Sequence, residues 1–276
     1  MEFRDATASV DYTGFDTEAL RQRFLLENIF IPGEITLSYT LEDRIVLGGA
    51  VPLDQPLELT APAGLYADYF CQRRELTLTN LGGAAVITVD GVAHDLGRED
   101  VIYIAMGSRE IQLASVDPSN PALLYVFSAT AHSVHPTTVV RREDAMTTEA
   151  GADVSANHRM IRKYVHMDGA RSDQIVLGIT SLEPGSVWNT MPCHTHIRRT
   201  EIYLYFGLGD ADRVVHLMGR PDQTRDLIMA ENQVVISPAW SIHTGVGTKN
   251  YAFIWAMAGE NQEFSDMQVV DTTNLR

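Results

Sequence analysis

The sequence predicts an all-β protein built from two antiparallel β-barrel or jelly-roll domains, with a few short helices. From Ile29 onward, short apolar runs rich in Val, Ile, Thr and Tyr alternate with Gly, Pro, Asp and Asn. Such runs of about four to eight residues are typical of strands in antiparallel sandwiches and barrels. The pattern stops once, in a polar segment near the middle of the chain, and then resumes. The two stretches of β pattern on either side of that segment indicate two domains.

One helix is predicted in the first half of the chain. Residues 16–28, DTEALRQRFLLEN, place Leu20, Phe24 and Leu25 on one face, and Asp16 is a suitable N-cap.

The strands follow in order after this helix. The apolar runs of the first half are EITLSYT, RIVLGGAVPL, ELTLTNL, AAVITVDG, DVIYIAMG, EIQLASV and ALLYVFSA. Those of the second half are QIVLGITSL, SVWNTMPCHTH, EIYLYFGL, RVVHLMG, DLIMA, QVVISP and NYAFIWAMAG. Asp90-Gly91, which follows Val89, predicts a tight hairpin turn.

The domain boundary is predicted in residues 141–157, RREDAMTTEAGADVSAN, which are polar and have no apolar period. This composition indicates a linker or an exposed loop, so we expect domains at 1–145 and 146–276. The halves resemble distant repeats, because RREL from Arg73 parallels RRTEIYLYF from Arg198.

Bulk composition limits the classes of partner. The formal net charge of −15 argues against nucleic acid and against anionic membranes as partners. No apolar run approaches the roughly 18 residues of a membrane span, and the first residues lack the pattern of a secretory signal. Two distant cysteines, Cys71 and Cys193, are expected to be reduced thiols in a cytoplasmic protein.

The segment WNTMPCHTHIRRTEIYLYFG carries the candidate metal ligands. His194 and His196 share one face of an extended chain. Glu201 can join them only if the chain turns near residues 197–200 and Glu201 enters the next strand. A third imidazole follows in VVISPAWSIHTGVG, at His243. Three neutral imidazoles and one carboxylate suit a divalent transition metal.

Aligning the two halves predicts that only the second domain binds metal. The residues opposite the four candidate ligands have no comparable chemistry; they are Tyr69, Cys71, Leu76 and Ile111. The first domain is therefore expected to have a structural role. Cys193 precedes a candidate ligand, but its side chain should face away from His194 and pack.

Cations near the candidate ligands leave alternatives open. Arg198 and Arg199 are either solvated turn charges or a bidentate clamp for a substrate carboxylate. Lys163 and Tyr164 can reach the site if their strand lines the barrel. Arg225, in contrast, is expected at the surface, as is Gln223.

Aromatic residues and the remaining histidines are weaker candidates. Trp188, Tyr203 and Trp240 are expected either to pack in the core or to line a pocket for a polar substrate. His132 and His135 are three residues apart in an extended segment, so joint metal binding is not expected.

The ligand pattern resembles the two cupin motifs: His-x-His, four residues and Glu, and later a Pro-led corner before His. Trp240 departs from it, because Gly is usual there. Longer segments are similar to the 5-keto-4-deoxyuronate isomerase family; they are LRQRFLLENIFIPGEITLSYTLEDRIVLGGA, RRELTLTNLGGAAVITVDG, NTMPCHTHIRRTEIYLYF and VVISPAWSIHTGVGTKNYAFIWAMAGEN. The similarity covers nearly the whole chain and is weakest at 141–157.

This resemblance implies a cytoplasmic homohexameric bicupin with one zinc per subunit, held by His194, His196, Glu201 and His243. The implied substrate is a small-molecule uronate from pectin or a related polymer. The implied reaction is the aldose–ketose isomerisation of 5-dehydro-4-deoxy-D-glucuronate to 3-deoxy-D-glycero-2,5-hexodiulosonate.

Such an isomerisation needs a group that moves a proton between adjacent carbons. The residues leave Lys163, Tyr203 and a metal-bound hydroxide as candidates, and Arg199 or Arg198 as the partner of the uronate carboxylate. Two other classes of protein fit the same ligands: an Fe(II) cupin dioxygenase and a non-catalytic sugar-acid-binding cupin. Manganese, iron and nickel suit this set of ligands as well as zinc does.

Overall fold

The computed structural model describes residues 1–276 and contains two compact units. The first unit comprises Met1–Arg4, Asn28–Ala145 and Tyr164–Val176. The second comprises Asp5–Glu27, Met146–Lys163 and Leu177–Arg276.

Most of the regular structure is β. The strands up to residue 140 are β1 Glu2–Arg4, β2 Leu25–Leu26, β3 Ile35–Thr40, β4 Val46–Ala50, β5 Leu57–Glu58, β6 Arg74–Asn80, β7 Ala85–Val89, β8 Val92–Leu96, β9 Val101–Ile104, β10 Ile111–Ser115, β11 Leu124–Thr130 and β12 Thr138–Val140. The later strands are β13 Met146–Ala150, β14 Arg159–Val165, β15 Val176–Leu182, β16 Trp188–Asn189, β17 His194–Thr195, β18 Arg199–Phe206, β19 Val214–Arg220, β20 Gln223–Met229, β21 Val234–Ser237, β22 Thr244–Gly247, β23 Ala252–Gly259 and β24 Gln268–Val269.

Helical structure is sparse. The α-helix is α1, Thr17–Phe24, and short 3₁₀ turns span Tyr12–Gly14, Ala63–Leu65, Phe70–Gln72, Asp153–Ser155 and Thr272–Asn274. None of these helices is long and apolar enough to cross a membrane.

The predicted helix is present but shorter than expected. The Asp16 carboxylate caps α1 by accepting a hydrogen bond from the Ala19 N–H at 2.8 Å. The helix ends at Phe24 because the next two residues form β2 and pair with β21. The sequence placed Leu25 in the helix, but sheet pairing prevails there.

The first unit packs a seven-stranded and a four-stranded sheet around an apolar interior. The orders are β1-β3-β4-β11-β6-β9-β12 and β5-β10-β7-β8. Cys71, Leu76 and Ile111, three of the four residues that the sequence alignment set opposite the candidate ligands, lie in the buried apolar cluster of this unit. The predicted hairpin turn joins β7 to β8, with Asp90 and Gly91 at φ 48° and 83°.

The central strands of the second unit repeat this topology. Its sheets have the orders β13-β14-β15-β23-β18-β21-β2 and β16-β22-β19-β20. The run β14-β15-β23-β18-β21 corresponds to β3-β4-β11-β6-β9, and the four-stranded sheets correspond in the same way. The prediction of an all-β protein with two antiparallel jelly-roll domains is confirmed.

The polar segment 141–157 is not only a loop. Residues Met146–Ala150 form β13, which pairs antiparallel with β14 and sets Met146 opposite Lys163. Most of its side chains are exposed, which explains why the sequence shows no apolar period there. The expected division of function between 1–145 and 146–276 stays a prediction.

Candidate metal centre

Four titratable side chains meet inside the second unit. His194, His196, Glu201 and His243 each direct one ligand atom to a common point, and these atoms lie within 4.8 Å of one another. His194 is partly buried and the other three are buried.

Local chain geometry brings the first three together. Strand β17 is only two residues long, and the chain then turns back, with the Arg199 N–H donating to the His196 carbonyl at 3.3 Å. Strand β18 begins at Arg199, so Glu201 enters the site from the neighbouring strand. This is the turn that the odd spacing between His196 and Glu201 requires.

His243 reaches the site from a separate corner. The Ser241 N–H donates to the Pro238 carbonyl at 2.8 Å, which closes a tight turn after β21. The chain then enters β22 immediately after His243. The Pro-led corner in the sequence therefore positions the third imidazole.

The distances between these donor atoms suit a metal ion. The Nε2 atoms of His194 and His243 lie 3.1 Å apart. A Glu201 carboxylate oxygen lies 2.7 Å from His196 Nε2 and 2.8 Å from His243 Nε2. Tetrahedral coordination with metal–nitrogen bonds of 2.0–2.1 Å places ligand atoms about 3.3 Å apart. This group of side chains could therefore hold a divalent ion.

The ring of His196 is oriented by a hydrogen bond outside the group. Its Nδ1 lies 3.0 Å from the carbonyl oxygen of Arg199, so Nδ1 carries the proton and donates it. The Nε2 atom is then directed at a carboxylate oxygen of Glu201, and a metal ion could bind both atoms. Histidine ligands in metal sites are commonly oriented in this way.

The environment of the metal group favours the metal-binding forms of His194 and Glu201. Burial lowers the pKa of His194 to about 3, and the neighbouring His243 adds to the effect, so the imidazole is neutral at ordinary pH. Burial alone would raise the pKa of Glu201, but the charge of His243 and hydrogen bonds from His196 and His243 hold it well below the usual value. A neutral imidazole and an ionised carboxylate are the forms that bind metal.

A cavity of about 360 Å³ opens on the metal group. Its remaining lining residues come from strands of the second unit, from the loop after β16 and from the segment after β23. They are Arg159, Ile161, Lys163, Thr180, Thr190, Pro192, Tyr203, Phe253, Trp255, Met257, Phe264 and Met267.

A known protein family matches most of this chain. The model of the KduI/IolB family matches residues 37–273, which include all four residues of the metal group. The chain belongs to the KduI/IolB family.

Two relatives that match over the full length of the chain have the same name. The chain is 49% identical over 276 residues to the 4-deoxy-L-threo-5-hexosulose-uronate ketol-isomerase of Lachnoclostridium phytofermentans, and each chain is covered completely. It is 48% identical over 279 residues, again with complete coverage of both, to the Kineococcus radiotolerans protein of that name.

Solved structures share the fold at low sequence identity. An IolB-like protein from Salmonella typhimurium superposes with a TM-score of 0.72 at 14% identity, covering 90% of this chain and 96% of the other. Lactobacillus farciminis oxalate decarboxylase gives a TM-score of 0.59 at 10% identity, covering 82% and 79%. These likenesses support the cupin fold.

The structure divides the predicted catalytic residues of this KduI/IolB member into two groups. Lys163 and Tyr203 line the cavity. Arg199 does not: its side chain is 0% exposed, and its guanidinium pairs with Asp266 at 2.8 Å. The expectation that Arg199 clamps a substrate carboxylate does not fit this geometry, because the guanidinium already has a carboxylate partner. The neighbouring Arg198 is exposed and pairs with Glu260 at 3.0 Å.

Strand alternation separates Lys163 from Tyr164. Lys163 faces the cavity, whereas Tyr164 is buried and is not among the lining residues. Cys193 is also buried and outside the lining, as expected of a packing residue.

The two tryptophans near the ligands in sequence do not line the cavity either. Trp240 stacks on Tyr12 with ring centroids 4.8 Å apart, and its indole N–H donates to the Thr7 carbonyl at 2.9 Å. This packing accounts for a tryptophan where the cupin motif usually has glycine. Trp188 lies in β16, outside the lining.

Several residues of the cavity lining were not among the candidates that the sequence indicated. Arg159 and Ile161 alternate with Lys163 on β14, so the period of two was a usable signal. Trp255 pairs with Tyr203 across β18 and β23, a register that sequence alone does not fix. Phe264 lies in a segment without a strand pattern, so no periodicity in the sequence indicated that it lines the cavity.

Proposed function

We propose that this chain is a zinc-dependent ketol-isomerase that converts 5-dehydro-4-deoxy-D-glucuronate to 3-deoxy-D-glycero-2,5-hexodiulosonate. The observation that carries the proposal is the convergence of His194, His196, Glu201 and His243 on a cavity of sugar size. Full-length identity to proteins named as this ketol-isomerase supports the same reaction. The pathway is the breakdown of unsaturated uronates from pectin and related polymers.

The metal group would hold one zinc ion per subunit. When bound, the ion supplies a positive charge that acidifies the carbon next to a carbonyl and stabilises the enediolate. The chain's own part is to bring three imidazoles and one ionised carboxylate to that point. The donor set also accepts manganese, iron or nickel, so the choice of zinc rests on the family resemblance.

Lys163 and Tyr203 are the side chains proposed to move the proton. The Lys163 Nζ atom lies 4.9 Å from the centre of the Phe264 ring, inside the cavity lining. We assign Lys163, as the neutral amine, the role of the base: Nζ takes the proton from one carbon, becomes an ammonium and returns the proton to the adjacent carbon.

Tyr203 is suited to donate a hydrogen bond. Its hydroxyl lies 3.2 Å from Thr190 Oγ1. Burial raises the pKa of Tyr203 well above its ordinary value, and the charge of Glu201 acts in the same direction. The phenol therefore stays protonated and can donate to a substrate oxygen as negative charge develops there.

The cellular setting follows from the family resemblance. We propose a cytoplasmic homohexamer that acts on a small uronate, without nucleic acid or membrane as a partner. The net charge of −15 supports the exclusion of nucleic acid.

The test is turnover of freshly prepared substrate in deuterated water, followed by proton NMR with the zinc content measured on the same sample. We expect the 2,5-diketo acid to appear with deuterium at the carbon that gains a proton. His243→Ala should abolish both turnover and stoichiometric zinc. The exposed His132→Ala is the matched control and should retain both.

Three outcomes would contradict the proposal. Oxygen uptake during turnover would indicate a dioxygenase. Binding of the uronate without conversion by the zinc-loaded protein would indicate a sugar-acid-binding cupin. Full turnover by zinc-free His243→Ala would remove the metal group from the reaction.

A further inference from the structure

The cavity beside the metal group is locally cationic in an acidic protein. Its lining includes two basic side chains, Arg159 and Lys163, and one carboxylate, Glu201. That carboxylate belongs to the metal group and faces the imidazoles. Basic charge in this cavity is therefore not balanced by a nearby acid, although the whole chain has a net charge of −15.

Arg159 is placed for binding an anion. It is the first residue of β14, on the face that also presents Ile161 and Lys163 to the cavity. Its Nη1 donates to the Asn157 carbonyl at 2.8 Å, and no carboxylate lies within ion-pair distance of the guanidinium. A guanidinium has five N–H donors, so most remain available to a ligand.

The carbonyl that orients Arg159 is itself held in place. The Oδ1 atom of Asn157 accepts hydrogen bonds from the Ala152 N–H at 3.0 Å and the Ser155 hydroxyl at 2.7 Å. The turn before β14 thus fixes Asn157, and Asn157 fixes one edge of the guanidinium. A cation oriented in advance loses less conformational entropy when it binds a ligand.

Other arginines near the site are already engaged. Arg199 is buried against Asp266 and also donates to the Asn261 side chain at 3.1 Å. Arg198 is paired with Glu260 outside the cavity lining. Lys163 contacts the face of the Phe264 ring and presents a single ammonium, which cannot form the planar two-bond contact that suits a carboxylate.

We propose that Arg159 binds the carboxylate of the substrate and makes the cavity selective for sugar acids over neutral sugars. This inference rests on the proposed function, because it assigns one end of the uronate to Arg159 while the carbonyl end faces the metal group. The carboxylate accepts hydrogen bonds from the N–H groups that Asn157 leaves free.

The kinetic test compares four zinc-loaded proteins: wild type, Arg159→Met, Arg159→Lys and Arg198→Met. A charge-assisted hydrogen bond contributes roughly 1.5–3 kcal/mol, so KM for the uronate should rise by about 10- to 100-fold in Arg159→Met. We expect kcat to change far less, an intermediate KM in Arg159→Lys, and a wild-type KM in Arg198→Met. An unchanged KM in Arg159→Met, or a rise confined to Arg198→Met, would overturn the proposal.

A binding test does not depend on turnover. D-gluconate has a carboxylate but no aldehyde or ketone that could isomerise, and glucitol is its neutral counterpart. Calorimetry on the zinc-loaded wild type should detect gluconate binding and much weaker glucitol binding, and Arg159→Met should lose the preference. Equal gluconate affinity in wild type and Arg159→Met would contradict the assignment.

The two tests separate the failure of this inference from failure of the proposed function. If wild type does not convert the uronate but binds gluconate through Arg159, the reaction is wrong and the anion site stands. If wild type converts the uronate and Arg159→Met does so with the same KM, the reaction stands and Arg159 is not the anion site. Arg159→Gln, with equal zinc content and thermal stability, replaces Arg159→Met should the latter fail to fold.

Discussion

The guanidinium of Arg199 and the carboxylate of Asp266 form an ion pair at 2.8 Å in which the arginine side chain is fully buried. Asp266 also accepts a hydrogen bond from the Asn261 amide at 3.0 Å. Asp266 and Asn261 both lie in residues 260–271, the segment that also contributes Phe264 and Met267 to the cavity lining. Arg199 therefore holds in place the segment that forms one side of the cavity.

Arg199→Met should destabilise the protein, because Asp266 would keep its charge in a mostly buried site without a partner. Breaking a buried pair costs about 3 kcal/mol. The midpoint of urea unfolding should fall accordingly, and Arg198→Met, which removes an exposed pair, should change it little. Equal midpoints for Arg199→Met and wild type would show that the pair does not anchor the segment. When Asp266 is already replaced by Asn, Arg199→Met should lower the unfolding free energy by less than it does in the wild type, because both substitutions remove the same interaction.

Removing the metal should lower thermal stability. His196 Nε2 lies 2.7 Å from a carboxylate oxygen of Glu201, and both of these atoms would be ligands of the bound ion. An ion that binds only the folded state stabilises it by about 2.7 kcal/mol at a hundredfold excess over Kd. Chelation should therefore lower the Tm, and added zinc should restore it. His196→Ala should show neither response, whereas a zinc-dependent Tm in that variant would place the ion elsewhere.

The four members of the metal group could be predicted because their signals are local. The spacing of His194 and His196 puts both on one strand face, and the odd spacing to Glu201 requires a turn that the chain makes. The Pro-led corner before His243 is also local. Likewise, the β pattern of both halves was enough to predict two jelly-roll units.

Roles that depend on distant partners could not be predicted. Arg199 was a reasonable clamp by position, but its partner Asp266 lies 67 residues later in a segment without a repeating pattern. Arg159 stands outside the recognised motifs, and its unpaired state is visible only in the folded cavity. The spacing of residues in the sequence predicts which face of a strand a side chain occupies. Whether an arginine such as Arg199 or Arg159 is free to bind a ligand depends on the charged partners that the folded chain brings to it.

His216 should make the protein less stable in acid. It is buried beside Tyr205, whose hydroxyl lies 2.8 Å from Nδ1, and burial lowers the pKa of His216 to about 3. Between about pH 6.5 and pH 3 the unfolded chain binds a proton that the folded chain does not, so stability falls as pH drops through that window. Each such proton contributes about 1.4 kcal/mol per pH unit. The slope of unfolding free energy against pH should be shallower by about this amount in His216→Gln but unchanged in His132→Gln; equal slopes in all three proteins would contradict the assignment.

Glu75 gives the first unit a structural carboxylate rather than a metal ligand. It is fully buried and accepts hydrogen bonds from the Tyr103 hydroxyl at 2.8 Å and from three successive backbone N–H groups, those of residues 173–175, at 2.7–2.8 Å. Glu75→Gln replaces an acceptor oxygen with a donor that would face other donors. We expect a loss of about 3 kcal/mol in unfolding free energy. Zinc content should stay at the wild-type value, because the metal group is built from other residues; a coupled loss of zinc would mean that the segment held by Glu75 also supports the metal group.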